Sequence, residues 1–162
     1  RKRKLLNVWY VNSILGTFRL EEEDGAVCGL ALCPDGVPEL EPLPRKVCET
    51  PLLQEAEQQL NEYFAGARRE FDLPLAAKGT PFQQAVWAEM NKIPYGRTRT
   101  YGQLAAAIGR PKAARAVGGA CHCNPIAIFQ PCHRVVGSTG KLTGYAYGVE
   151  MKQYLLELEQ NT

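Results

Sequence analysis

Residues 124–137, NPIAIFQPCHRVVG, set a cysteine, a histidine and an arginine side by side at positions 132 to 134, directly after Pro131 and otherwise among mostly apolar neighbours. A thiol with its ordinary pKa of about 8.5 is mostly protonated at neutral pH, whereas attack on carbon requires the thiolate. An imidazole can take that proton and nearby positive charge stabilises the anion, so Cys132 and His133 are the candidate nucleophile and base. Adjacency alone does not make them partners: neighbours on a strand point apart, and a turn or a water would have to bring them together. A third group should orient the imidazole, and Glu159, late in the last helical stretch, is the candidate. On this reading the sulfur is held as an anion beside a cleft. Taken alone, the same residues also describe a buried structural cysteine beside a hydrogen-bonded histidine.

The remaining cysteines narrow the options. Six in 162 residues is too sparse for a disulfide scaffold and there is no C-x-x-C pair, so reduced thiols in an intracellular protein are expected. The run CHC at 121–123 invites a zinc reading, but adjacent residues rarely supply three tetrahedral ligands, so no metal is expected. No apolar run approaches the roughly 20 residues that cross a bilayer. The start, RKRKLLNVWYVN, carries a basic cluster, but its apolar run is short and broken by Asn7, unlike a signal peptide. Arg1 to Lys4 read as a solvated end or, alternatively, as a nuclear or nucleic-acid address. The net charge of +2 hides a split: residues 1–77 hold 9 Lys and Arg against 13 Asp and Glu, while residues 78–162 hold 10 against 4. A second half at net +6 suggests a polyanionic partner.

The elements that must position these groups fall into two parts, 1–77 and 78–162. In the first, LLNVWYV reads as a strand, and residues 16–38 as two strands joined at Asp24-Gly25, a hairpin pair. Asp35-Gly36 and the prolines at 34, 38, 42 and 44 make a loop. Residues 51–65 are expected to be helical, capped by Thr50, with Leu52, Leu53, Ala56, Leu60, Tyr63 and Phe64 on one face. Residues 70–79 read as a linker. Thr80 then caps a helix with Phe82, Val86, Trp87 and Met90 as its core stripe. Thr100 opens YGQLAAAIG, ended by Gly109, and RPKAARAVGGA reads as a second short helix. The pair suggests a helix-turn-helix, its second helix carrying Arg110, Lys112 and, in the middle, Arg115 among small residues. Small residues also serve tight helix packing. In nucleic-acid docking they bring the backbone close to the duplex, where helix N-terminal amides and cations meet phosphates.

GTPFQQAVW, IPYGRTRTYGQLA, KAARAVGGA, NP, PCHRVV and GY, spread over residues 78–159, together resemble the O6-alkylguanine-DNA alkyltransferases, or methylated-DNA–protein-cysteine methyltransferases. The first half matches weakly, through NSILGTFRL. The resemblance implies an α/β (α+β) chain: an RNase H-like N-terminal domain with a small antiparallel sheet and packed helix, then a C-terminal winged helix-turn-helix domain. It implies a monomer acting on duplex DNA that contains O6-alkylguanine, and also O4-alkylthymine, from the minor groove. The damaged base is flipped out, as enzymes acting on a base require, and its alkyl group passes irreversibly to Cys132 without a cofactor. The compartment would be the cytoplasm in a prokaryote and the nucleus in a eukaryote. By position, His133 is the base acting through a bound water and Glu159 orients it. Arg115 is the finger filling the gap left by the flipped base, and Tyr101 crowds the phosphate and donates to the base. Lys112, Arg110, Thr100, Ala114 and Ala116 complete the DNA-binding set. Asn124 braces the segment before the thiol. Backbone around Cys132, Val135 and Ala146 lines the guanine pocket, with Tyr145 as a wall.

Three residues depart from that family's pattern. Gln130 stands where an aliphatic residue is usual and must find partners or solvent. Ala127 replaces a common proline, which is expected to loosen the segment. Tyr147 stands where glycine is frequent and is expected to narrow the pocket mouth, favouring methyl over benzyl adducts. Three rival functions remain to compare. A non-catalytic alkyltransferase-like protein would only flag alkylated DNA, but such relatives lack the reactive cysteine. A helix-turn-helix regulator leaves PCHR unexplained. A cysteine hydrolase needs an oxyanion hole and predicts repeated turnover.

Overall fold

The computed structural model describes residues 5–162, so the cluster Arg1 to Lys4 and the address considered for it lie outside the described residues. The chain divides into two compact units, Arg1–Ala77 and Lys78–Thr162.

In the first unit, β1 (Leu6–Ser13), β2 (Gly16–Glu23) and β3 (Ala26–Cys33) form an antiparallel meander. Asp24 and Gly25 both take positive φ, 53° and 77°, as a two-residue turn matched to strand twist requires. A short β4 (Arg45–Val47) pairs in parallel with β1, giving the order β3-β2-β1-β4. The sheet is therefore mixed rather than wholly antiparallel, because the chain leaves β3 through the proline-rich loop and re-enters beside β1 without a hairpin. Val8, Phe18, Leu20, Val27 and Leu30 are fully buried, and helix α1 (Pro51–Phe64) contributes Leu53, Ala56, Leu60 and Tyr63 to the same core. Thr50 caps α1, its Oγ1 accepting from Leu53 N at 3.1 Å. Leu52 and Phe64 are only half-buried. Gln59 is buried with them, its amide donating to Asp72 O and accepting from Asp72 N. Those bonds, and the pairing of Val27 with 74–76, make most of the expected linker part of this unit.

The second unit holds α2 (Pro81–Met90), β5 (Arg99–Thr100), α3 (Tyr101–Ala107), α4 (Ala114–His122), a 3-10 turn (Cys132–Arg134), β6 (Val135–Val136) and α5 (Val149–Asn161). Thr80 and Gln83 form a reciprocal capping box at the start of α2. Trp87, fully buried in the core, donates its Nε1–H to Ala120 O at 2.9 Å and so fastens α2 to α4. The sheet element of this unit is a two-stranded parallel ladder, β5 against β6. Among the described residues, no helix is long and apolar enough to cross a membrane.

Helix α4 begins later than its composition suggests. Gly109, at φ 77°, ends α3 with Gly109 N bonded to Ala106 O and Arg110 N to Ala105 O. That double closure is a Schellman motif, and it engages Arg110 as the residue after the cap. Ala113 N then bonds Arg110 O, so residues 110–113 form a turn. Arg110 and Lys112 thus precede the helix, and Arg115 is its second residue rather than a mid-helix one.

Candidate active site

The β5–β6 ladder assembles the site. Its register, Arg99 to Val135 and Thr100 to Val136, sets the start of α3 beside the strand that follows Cys132. Thr100 caps α3 in a capping box with Gln103, so Tyr101 becomes the first helical residue. Cys132, His133 and Arg134 lie in a 3-10 turn, closed by Arg134 N to Pro131 O at 3.0 Å. A turn, unlike a strand, does not force adjacent side chains to opposite faces.

All three of these residues are buried, and His133 completely so. His133 Nε2 meets Glu159 Oε2 at 2.7 Å. Arg134 forks the same carboxylate, Nε to Oε1 at 2.9 Å and Nη2 to Oε2 at 3.0 Å, and Gly96 N donates to Oε1 at 3.1 Å. Burial alone would raise the Glu159 pKa, but these donors and the positive charge of Arg134 outweigh it and hold the carboxyl far below its ordinary range. The carboxylate is thus acceptor-only, and Nε2 carries the imidazole proton. Burial lowers the His133 pKa more than Glu159 raises it, so the ring is neutral. Its Nδ1 is then a lone pair, buried and without a hydrogen-bond partner among the described residues. A base held from behind in a fixed tautomer follows directly.

Cys132 differs from expectation in its resting state. Burial pushes its thiol above the ordinary value, with Asn124 and the charge of Lys152 opposing that shift. The sulfur is therefore a thiol in the free protein rather than a resting anion. Asn124 Nδ2 donates to Sγ at 3.1 Å. The Tyr145 hydroxyl is near enough to lower the thiol pKa, yet it falls outside hydrogen-bond geometry and has no other partner among the described residues. Burial raises the Tyr101 pKa, with smaller contributions from Cys121 and then Cys132. Its phenol donates to Thr143 O at 3.0 Å and accepts from Lys152 Nζ at 3.4 Å.

Lys152 and Arg134 are functional candidates to which the sequence assigned no role. Lys152 is 1% exposed, donates to Thr143 O at 2.9 Å and lies over the Tyr101 ring. It stands seven residues, two helical turns, before Glu159 on the buried face of α5. That spacing from a suspected site residue was the available signal.

The segment before the thiol is closed rather than loosened at Ala127. Ala127 is buried, Phe129 N bonds Ala127 O and Gln130 N bonds Ile126 O. Ile128 takes φ 69°, an uncommon conformation for a β-branched residue that surrounding contacts must enforce. Gln130 is 4% exposed and finds partners in Asn91 and Asn124.

A cavity of about 640 Å³ adjoins this cluster, lined by Thr100, Tyr101, Ala114, Arg115, Gly118 and Thr143 among others. Tyr101 belongs to both cavity and thiol environment. Cys132 and Asn124 do not line it, nor do Ala116, Lys112 and Arg110, nor the expected pocket residues Val135, Tyr145, Ala146 and Tyr147. The Arg110 guanidinium instead lies over the Phe82 ring at 5.8 Å. Val135 is buried behind the turn, Ala146 is exposed, and the Tyr145 and Tyr147 rings meet edge-on at 5.8 Å. In the CHC run, Cys121 is buried with its pKa pushed up to about 12, Cys123 is exposed and His122 lines the cavity.

Residues 81–161 match the model of the 6-O-methylguanine DNA methyltransferase DNA-binding domain, and residues 8–77 that of the ribonuclease-like domain of the same proteins. A methylated-DNA–protein-cysteine methyltransferase of Methanosarcina acetivorans is 58% identical over 106 residues, 65% of this chain and 68% of that protein. The constitutive enzyme of that name from Bacillus subtilis is 58% identical over 113 residues, 69% of this chain and 68% of its own. The crystal structure of Mycobacterium tuberculosis OGT in complex with DNA is similar with a TM-score of 0.87 and 42% identity, covering 96% of this chain and 93% of that one.

Proposed function

The chain belongs to the 6-O-methylguanine DNA methyltransferase family, and from that premise we propose that it repairs DNA directly, by one irreversible transfer of an alkyl group from O6-alkylguanine to Cys132. The observation that carries this reading is the His133 lone pair, fixed by Glu159 from behind and buried in the same 3-10 turn as a thiol that accepts from Asn124. A water between sulfur and Nδ1 would satisfy both atoms. Through it the thiol proton passes to Nδ1, and the sulfur attacks the alkyl carbon. The new carbon–sulfur bond forms as the carbon–oxygen bond breaks, and its electron pair leaves on the guanine oxygen. The departing base takes a proton from the Tyr101 hydroxyl, and the proton on His133 restores the balance. Lys152, which donates to that hydroxyl, stabilises the phenolate while it lasts. The Tyr101 phenol is protonated at neutral pH, the more so for its burial, and so is able to donate. Nothing in this set cleaves a thioether, so each molecule acts once.

Helix α4 presents Ala114, Arg115 and Gly118 to the cavity beside Tyr101, which suits a duplex docked by its minor groove with the lesion turned inward. Arg115 fills the space left in the stack, Lys112, Thr100 and Ala116 approach the backbone, and Arg110 supports the docking surface from Phe82. Val135, Ala146 and Tyr145 hold the flipped base, O4-alkylthymine included, and Tyr147 restricts bulky adducts. One copy of the chain supplies every group, and it acts wherever the cell keeps its DNA, cytoplasm or nucleus. A protein that only flags lesions would need neither Cys132 nor a base poised beside it.

The test is intact mass after mixing with a duplex carrying O6-methylguanine. A gain of one methylene, mapped to Cys132 and absent from Cys132→Ala, supports the reading. Binding without mass gain refutes transfer.

A further inference from the structure

Asn124 Oδ1 accepts from the backbone Ile126 N at 3.1 Å, and its Nδ2 donates to the backbone Gln130 O at 2.9 Å. Those two backbone groups settle which way the amide faces, and the sulfur of Cys132 lies 3.1 Å away on the Nδ2 side. Because Asn124 offers its oxygen on the other side, Gln130 must present its own Nε2 there, and it does at 2.8 Å. That leaves Gln130 Oε1 to accept from Asn91 Nδ2, at 3.1 Å, at the C-cap of α2. The result is a directional chain, Asn91 to Gln130 to Asn124 to sulfur, in which every amide donates toward the thiol. Gln130 and Asn124 are buried and the chain starts at the exposed Asn91.

We propose that Gln130 is a positioning residue for alkyl transfer: its side chain locks and polarises the Asn124 amide so that Nδ2 donates to the Cys132 sulfur as negative charge develops there. This rests on Cys132 being the nucleophile. Donation into a carbonyl oxygen strengthens the N–H donors of the same amide, and the effect is largest where water is excluded. Ile128, held at φ 69° between Asn124 and Gln130, shows how tightly the turn carrying these groups is constrained. An aliphatic residue at 130 fills the same space and contributes none of this. Its effect would reach the thiol only through Asn124, and Asn91 would act one step further back.

The test is single-turnover alkylation by excess duplex carrying O6-methylguanine, followed from pH 6 to 10 by intact mass, on wild type, Gln130→Leu and Asn91→Ala. Loss of one hydrogen bond's support for the anion should slow Gln130→Leu about three- to tenfold at neutral pH. The deficit should shrink toward wild type in alkali, where solvent removes the thiol proton. Asn91→Ala, altered at an exposed helix end, should shift the same way by less. A Gln130→Leu profile that overlays wild type overturns the proposal, as does a deficit equal at every pH, the mark of a purely structural loss. If Gln130→Leu does not fold, an Asn91→Ala profile identical to wild type overturns it. Failure of wild type itself to gain mass refutes the alkyltransferase reading instead, so the two failures are distinct.

Discussion

Replacing Glu159 with Gln removes one charge while keeping the side chain's shape, and it should affect stability and chemistry by separable amounts. The carboxylate accepts from His133 and Arg134 Nη2 on Oε2, and from Arg134 Nε and Gly96 N on Oε1. A neutral amide has one accepting oxygen, so whichever way it turns its NH₂ faces two donors. Turned toward Oε2, it drives His133 to the other tautomer, with the proton on Nδ1 and no lone pair for the thiol. Turned toward Oε1, it would strand two donors, Arg134 Nε and Gly96 N, against the single Arg134 Nη2 stranded the other way, so the first orientation is favoured. Either way Arg134, 7% exposed, keeps one bond to the amide oxygen, its bond to Ile93 O and a contact over Tyr95, but has no counter-charge. Breaking a buried pair from one side costs about 3–5 kcal/mol, and the surviving contacts put this case at about 3. For a unit of this size that is a fall in Tm of more than about 10 °C. The rate loss is that of a misdirected base, about 10²–10⁴-fold at neutral pH, and it narrows in alkali. Single-turnover mass measurements across pH, at a temperature where circular dichroism shows the variant folded, read the rate. Adding Arg134→Met to Glu159→Gln removes the stranded cation, so Tm should recover while the rate does not. A folded Glu159→Gln that reacts within threefold of wild type at neutral pH refutes the fixed-tautomer reasoning.

Arg115→Ala should slow repair in duplex DNA at least tenfold while leaving reaction with free O6-benzylguanine nearly unchanged; equal losses on both would remove its role as the finger. Tyr147→Gly should raise the rate on benzyl adducts relative to methyl adducts, and an unchanged ratio would show that this ring does not gate the pocket. Acid should destabilise the protein in two stages. The His133 pKa is lowered in the fold from an ordinary 6.5, so below pH 6.5 the unfolded chain takes up a proton that the native state refuses, and stability falls until the lower native value is passed. Glu159, depressed from an ordinary 4.5, adds a second loss below that pH as its ion-paired carboxylate is titrated. Urea midpoints that hold level from pH 7 to 5 would contradict the first stage.

What the sequence disclosed and what it hid divide along physical lines. The pairing of His133 with Glu159 was legible because an imidazole needs an orienting carboxylate, and the roles proposed for Cys132 and His133 follow from residue type because a thiol needs a base. Thr50, Thr80 and Thr100 were legible as caps because capping is a local interaction of three or four residues. The start of α4 was not, because alanine-rich composition continues smoothly through residues 110–113 while the Schellman closure at Gly109 spends Arg110 on ending α3. The parallel pairing of β4 with β1 depends on a contact across some forty residues that no local pattern encodes.

The protonation state of the thiol could not be read at all. Adjacency to a base and a cation suggested a resting anion, yet desolvation depends on how completely the turn is covered, and here it outweighs every stabilising partner. That outcome gives Lys152, Asn124 and Gln130 their significance. A thiol already ionised would gain little from further donors, whereas one that ionises only as the substrate arrives depends on groups already aimed at the charge before it forms. Lys152 read from sequence as an ordinary helix lysine, Asn124 was named only through the resemblance and Gln130 only as a departure from it, because what such groups can do lies in being buried and oriented. The residues that name the proposed chemistry are therefore carried by the motif, and those proposed to set its rate are carried by the packing around it.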